Sequence, residues 1–174
     1  MFMLEAFSAV HQQVTIRKPR PFHRHARCRG QALNCRKMDA LPEIRADDMV
    51  NAGEYRSLRS EVGWRTPERT DEEIQRALNL TWNATARTRA DGRLVGLVRV
   101  LDDGLFYASV WDVIVAPPLQ RRGIGRALLE MAMERTAARA FVVLVATSEG
   151  EGLYRGAGFS EAEGGRKALF WRPE

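Results

Sequence analysis

The sequence predicts an α/β protein built on a central mixed β-sheet with helices on both faces. Three observations predict it. A meander of apolar strands is punctuated by turns at Asp91-Gly92 and Asp102-Asp103-Gly104. A glycine-rich loop, Gln120 to Gly125, then joins the last of these strands to an amphipathic helix. Beyond that helix the wholly apolar run Phe141–Ala146 reads as a fully buried strand parallel to its neighbour.

Each element has its own local reason. Ile44-Arg45 suggests a short first strand, and Tyr55, Leu58, Arg59 and Val62 form one face of a helix that Gly63 ends. Thr70 and Glu73 make a capping box for a second helix carrying Ile74, Ala77, Leu78 and Thr81. Strands are expected over Trp82–Arg89, Leu94–Leu101 and Phe106–Val115, the last stopped by Pro117-Pro118. Ile124, Ala127, Leu128 and Met131 recur at helical spacing. A short helix is expected around Leu153–Gly156, and Phe159 and Ala168–Trp171 are expected to close the chain as strands.

At 174 residues the chain is long enough for one domain with a proper core. Its net charge of +5 and pI near 9.8 invite a nucleic-acid reading, but the charge is uneven. Residues 1–37 hold eight Lys or Arg against one acid, Glu5, a balance of +7. Residues 38–174 hold 19 basic and 21 acidic side chains, a balance of −2. The first segment reads as a transit peptide or disordered leader, and 38–174 as the folded domain. The leader suits a chloroplast address, with the mitochondrion as the alternative, or the cytoplasm if translation starts at Met38. All three histidines and both cysteines also lie in 1–37. The domain therefore has no Cys-His or Ser-His nucleophile and no zinc site built on His or Cys, and no metal is expected. Nucleic acid and membrane are not expected as partners. The chain is expected to be a monomer or homodimer.

The loop carries the chemistry. Glycines at 123 and 125 let backbone N–H groups converge at a helix start, where the helix dipole favours an anion such as pyrophosphate. Arg121, Arg122 and Arg126 add charge at the same mouth. The plainer reading is a solvated helix start. Asp112 lies in the preceding strand, on the face of Val110 and Ile114 with Trp111 on the other. A carboxylate among apolar residues is expected to have a raised pKa, which suits a general base. It could otherwise cap or pair, and Glu149 or Glu151 could instead relay a proton through water. Trp111 walls a substrate slot or fills the core.

The order Gln120-x-x-Gly123-x-Gly125 after a strand, then helix, buried strand and Leu153-Tyr154-Arg155-Gly156-Ala157-Gly158-Phe159, resembles the GNAT acetyltransferase superfamily from about Tyr55 to Trp171. Glu61–Trp64, Val110–Val113 and Leu169–Trp171 are similar to its plastid and cyanobacterial branch, which includes serotonin N-acetyltransferases. Arg121-Arg122 and the glycine-rich Ser148–Gly152 depart from that branch. The resemblance implies the acyl-CoA N-acyltransferase fold and acetyl-CoA as co-substrate, with no metal. It implies acetyl-CoA along Val113, Ile114 and Val115, and pyrophosphate over Gln120, Arg121, Arg122, Gly123, Ile124, Gly125 and Arg126. Ser148 and Tyr154 complete the contacts. Tyr154 would protonate or hydrogen-bond the CoA sulfur, or else serve as an aromatic anchor. Val113 N–H would stabilise the oxyanion. The implied reaction is direct acetyl transfer to a primary amine, either a small arylalkylamine or a protein lysine or N-terminus. The alternatives are a non-catalytic acyl-CoA-binding module and a nucleic-acid-binding protein.

Overall fold

Two capping boxes set where the first helices begin. In the computed structural model, which describes residues 41–161 other than Pro67 together with Ala168, Leu169 and Trp171, strand β1 (Glu43–Ala46) precedes helix α1 (Ala52–Glu61). The Asn51 side chain accepts from the Glu54 N–H at 2.9 Å, and the Glu54 carboxylate accepts from the Asn51 N–H at 3.2 Å. Thr70 and Glu73 cap α2 (Asp71–Asn79) reciprocally, as the sequence predicts. Each such cap stabilises its helix by about 1 kcal/mol.

Strands β2 (Trp82–Arg87), β3 (Leu94–Asp102), β4 (Tyr107–Val115) and β5 (Phe141–Leu144) complete a sheet ordered β1-β2-β3-β4-β5. The first three pairings are antiparallel and β4–β5 is parallel, with α3 (Ile124–Thr136) as the crossover. β3 is the centre, buried throughout from Leu94 to Val98. Its two faces are distinct. A Cβ on Gly96 would sit 3.0 Å from Leu128 of α3, so Gly96, Val98 and Val100 face α3. Arg99 lies over the Tyr55 ring of α1, so Val95, Leu97 and Arg99 face α1 and α2. Helices therefore cover both faces, as expected.

The β3–β4 register contains one irregularity. Leu97 opposes Ile114 and Arg99 opposes Trp111, so two residues of β4, Asp112 and Val113, stand opposite Val98 alone. This is a β-bulge, and it has two consequences. Strand β4 bends, and its side-chain alternation shifts by one. Val110, opposite Val100, faces α3, whereas Ile114, opposite Leu97, faces α1 and α2.

Four expectations change. The second strand stops at Arg87, because the Thr88 N–H already donates to the Arg93 carbonyl across the hairpin turn. β5 stops at Leu144, not Ala146, because β4 has bent away beyond Val110. Nor is β5 fully buried. Among the described residues it is an edge strand, and Phe141 and Val143 are 55% and 43% exposed. Phe159 and the described residues of the closing segment (Ala168, Leu169, Trp171) are not in strands, while Phe170 and the leader at 1–37 lie outside the described residues.

Candidate active site

The split between β4 and β5 organises the site. The two strands pair from Tyr107↔Phe141 to Val110↔Leu144, and β4 then runs on alone to Val115. Its other side stays bonded to β3, with the Ala116 N–H donating to the Val95 carbonyl at 2.8 Å. Backbone alternation therefore turns the N–H and C=O of Val115 the other way, into the gap. The Gln120 side-chain amide donates to that Val115 carbonyl at 2.9 Å and ties the loop to the strand end.

A 3-10 turn, Pro117–Leu119, leads into the loop. Arg121 (φ 62°) and Gly123 (φ 84°) are both left-handed, and Gly123 caps α3 without any side-chain hydrogen bond. The first-turn amides of α3 thus have no side-chain cap, which leaves a site with partial positive charge. Ile124 is buried and anchors the helix, so it offers the site only its backbone. Arg121 and Arg122 are exposed and form no ion pair among the described residues, while Arg126 pairs with Glu130 at 2.9 Å. A Cβ on Gly125 would lie 3.6 Å from Val115 and 3.7 Å from Leu153. The helix start, the end of β4 and the following short helix α4 (Glu151–Gly156) therefore converge.

Tyr154 sits on α4, half-buried, with its ring edge-on to Phe159 at 6.4 Å. Its hydroxyl has no hydrogen-bond partner among the described residues, and burial pushes its pKa up. Gly150 lies under this ring, where a Cβ would come within 3.0 Å of Tyr154 Cε2. Ser148 is exposed. Hydrogen bonds from the Glu149 backbone and from the Ser148 and Thr147 hydroxyls lower the Glu149 carboxyl. Glu151 pairs with Arg155 at 2.6 Å.

Asp112 does not have the surroundings the sequence predicts. The bulge separates it from Val110 and turns its side chain toward α1. Arg59 donates to Oδ1 at 2.7 Å, and Arg99 and the Tyr55 hydroxyl both donate to Oδ2 at 2.9 Å. The apolar setting behind the general-base expectation is absent, and the alternative, an aspartate that pairs, describes the geometry. Its backbone is left-handed at φ 50°, which costs about 1 kcal/mol for a residue with a Cβ. Burial and the adjacent Asp112 carboxylate raise the pKa of Tyr55. Trp111 is 45% exposed, which excludes the core reading, and its indole donates to Ser109 at 2.7 Å.

Tyr55, Arg59 and Arg99 were not among the expected site residues. A signal existed, because Arg59 shares a helix face with Tyr55 and Leu58, and a cation on a core-facing stripe requires a buried acid.

A mixed sheet split between parallel strands, with a glycine-rich helix start at the mouth of the split, is the fold of the acyl-CoA N-acyltransferases. Residues 41–159 match the Acetyltransferase (GNAT) family, and the chain belongs to that family. It is 33% identical over 121 residues to a chloroplastic serotonin N-acetyltransferase 2 from Oryza sativa, covering 67% of this chain and 60% of that one. It is 31% identical over 137 residues to a chloroplastic GCN5-related N-acetyltransferase 1 from Arabidopsis thaliana, covering 75% and 67%. The chain spans only 36% and 34% of the length of two Glycine max acetyltransferases that it also matches. A GNAT-family acetyltransferase structure from Streptococcus pneumoniae superposes with a TM-score of 0.62 at 27% identity, covering 75% of this chain and 97% of that one. A Clostridium acetobutylicum acetyltransferase solved with acetyl-CoA shares the fold, with a TM-score of 0.54 at 17% identity, covering 73% and 95%.

Proposed function

We propose that this chain is an acetyl-CoA-dependent N-acetyltransferase that moves the acetyl group directly to a primary amine. The observation that carries the reading is the gap beside Trp111–Val115, bounded by the uncapped start of α3. The backbone of Val113 and Val115 would pair with the pantetheine arm. The loop from Gln120 to Arg126, with the exposed Arg121 and Arg122, would hold the pyrophosphate. Direct transfer is supported by a domain with no cysteine nucleophile and no histidine base to activate a serine.

In this reaction the neutral amine attacks the thioester carbonyl, and the N–H of Val113 stabilises the oxyanion. The C–N bond forms and the C–S bond breaks. The ammonium proton leaves through water toward Glu149, which has no ion pair among the described residues. Tyr154, whose hydroxyl has no hydrogen-bond partner among the described residues and whose pKa is raised, keeps its proton until the departing thiolate takes it, and is then reprotonated from solvent.

An open cavity of about 310 Å³ beside the Asp112 cluster is lined by Arg69, Arg76 and Arg99 against one acid, Glu73. An open groove lined by arginines offers no acidic slot for a small cationic arylalkylamine and can pair with acidic residues flanking a protein or peptide amine, which supports the latter. The chloroplastic relatives and the basic segment 1–37 support a plastid location, which a fluorescent fusion of 1–37 tests. The full chain should release CoA thiol with acetyl-CoA and a lysine or N-terminal peptide, and more slowly with an arylalkylamine. Acetyl-CoA binding without turnover on any of the three amine classes would overturn the enzymatic reading.

A further inference from the structure

We infer that Asp112, Arg59, Arg99 and Tyr55 form a positioning clasp that holds the β4 bulge, and with it the acyl-CoA slot, in shape. The inference rests on the slot being the acetyl-CoA site, as proposed above. Asp112 lies in the bulge just past the point where β4 changes behaviour. Up to Val110, β4 is bonded to strands on both sides, and from Trp111 on to β3 alone. It is also one of three non-glycine residues with positive φ among the described residues, at 50°. A strained bulge persists only where its surroundings over-determine it.

The surroundings do so here. Arg59 reaches from α1 to Oδ1 at 2.7 Å, and Arg99 reaches from β3 to Oδ2 at 2.9 Å, so the carboxylate is fastened to two elements at once. The Tyr55 ring lies 5.4 Å from both guanidiniums, and its hydroxyl donates to Oδ2 at 2.9 Å. Trp64 lies 5.5 Å from Arg59 on the chain that leaves α1. The side chains of Asp112, Arg59 and Arg99 are 10%, 15% and 13% exposed, so the pairs are shielded from water. With both oxygens occupied, the carboxylate sets the path of Val113 and Val115 by holding the bulge, and does not itself take the amine proton.

The test uses the full chain and acetyl-CoA itself. Asp112→Gly removes the carboxylate while tolerating the positive φ, and Asp112→Asn preserves shape without charge in case the glycine variant does not fold. Calorimetry should show acetyl-CoA affinity falling about tenfold in either variant, and KM for acetyl-CoA rising with it. At saturating acetyl-CoA, kcat should fall by no more than about tenfold, because the bulge also aims the Val113 N–H at the oxyanion, and the acid limb of its pH profile should not move. Arg59→Gln should give the same loss of affinity, and the double variant no more than the single ones, because the partners act as one unit. Arg87→Met, in an ionic cluster outside the slot, should lower stability without changing acetyl-CoA affinity.

A collapse of kcat with loss of the acid limb at unchanged KM would make Asp112 the base and overturn the clasp. Unchanged affinity in the Asp112 and Arg59 variants would overturn it equally. Failure of the unmutated chain to bind acetyl-CoA would instead overturn the proposed function.

Discussion

The two halves of β4 belong to one strand and behave differently. Tyr107–Val110 is fastened to β5, and Trp111–Val115 stands free of it. Each half has its own ionic device. At the fastened half, Asp102 opposes Ala108 in the sheet and takes both ends of Arg139, with Nη2 at 2.7 Å, two residues before β5 begins. The Phe141 N–H then donates to the Phe106 carbonyl at 3.1 Å. At the free half, Asp112 takes Arg59 and Arg99. One device closes the sheet and the other keeps it open. Similar ion-pair chemistry therefore serves opposite ends, and only the bulge distinguishes them.

The largest expected effect comes from a third cluster, two strands away from β4. Arg87 is held by Asp48 and Glu54, both at 2.6 Å, and by the Met49 and Gly92 carbonyls. Its hydrogen bond holds the Glu54 carboxyl below its usual range. Burial alone would raise Asp48, but bonds from Thr85 and Arg87 outweigh it and lower the pKa. Arg87→Met strands two partly buried carboxylates and should cost about 3–5 kcal/mol in denaturant unfolding. If acetyl-CoA affinity of the folded variant also fell, general loosening and not the bulge would explain the slot.

Next in size is Tyr154→Phe, which removes a hydroxyl from the open half and leaves its packing on Phe159 intact. Steady-state kinetics should show kcat lower by about a hundredfold with little change in KM for acetyl-CoA. Unchanged kcat and KM would make Tyr154 an aromatic anchor only, because phenylalanine keeps the ring.

How much of this was legible depended on whether local chemistry or register decided it. The Thr70 capping box, the Asp91-Gly92 turn and the loop from Gln120 to Gly125 are local patterns, and the structure has each where the sequence puts it. The bulge is not local. Strict alternation puts Asp112 with Val110 and Ile114, and one extra residue in β4 moves Val110 to the α3 face and leaves Ile114 facing α1. Nothing in Val110–Val115 announces that shift, since aspartate is as acceptable to a left-handed turn as to a strand end. Arg59 was readable as an oddity on a core-facing stripe, but its partner lies 53 residues away. The exposure of β5 was illegible because an apolar run looks the same in an edge strand as in a central one.

A smaller effect tests the fastened half. Arg139 holds Asp102 down at a pKa of about 2, against an ordinary 3.8. A lowered carboxylate contributes fully above its unfolded pKa and loses that contribution as pH falls through the folded value. Asp102→Asn should therefore cost about 1–2 kcal/mol near pH 7, and the gap to the unmutated chain should narrow between pH 4 and pH 2. Acetyl-CoA affinity at pH 7 should not change. If it did, the two ends of β4 would not be independent.

The smallest effect separates two glycines beside the open half. Gly150 and Gly152 flank the start of α4, yet a Cβ on Gly150 would meet the Tyr154 ring at 3.0 Å and Thr147 Oγ1 at 3.3 Å, while a Cβ on Gly152 would meet nothing within 4 Å. Neither has a positive φ, so contact alone distinguishes them. Gly150→Ala should push the ring by a few tenths of an ångström and lower kcat by roughly three- to tenfold, because the tyrosine hydroxyl must meet the departing sulfur. Gly152→Ala lies within the helix, where alanine is the better residue by about 0.5–1 kcal/mol, so it should raise the melting temperature and leave kcat alone. Equal kinetics for the two variants would mean that the position of Tyr154 does not limit the reaction.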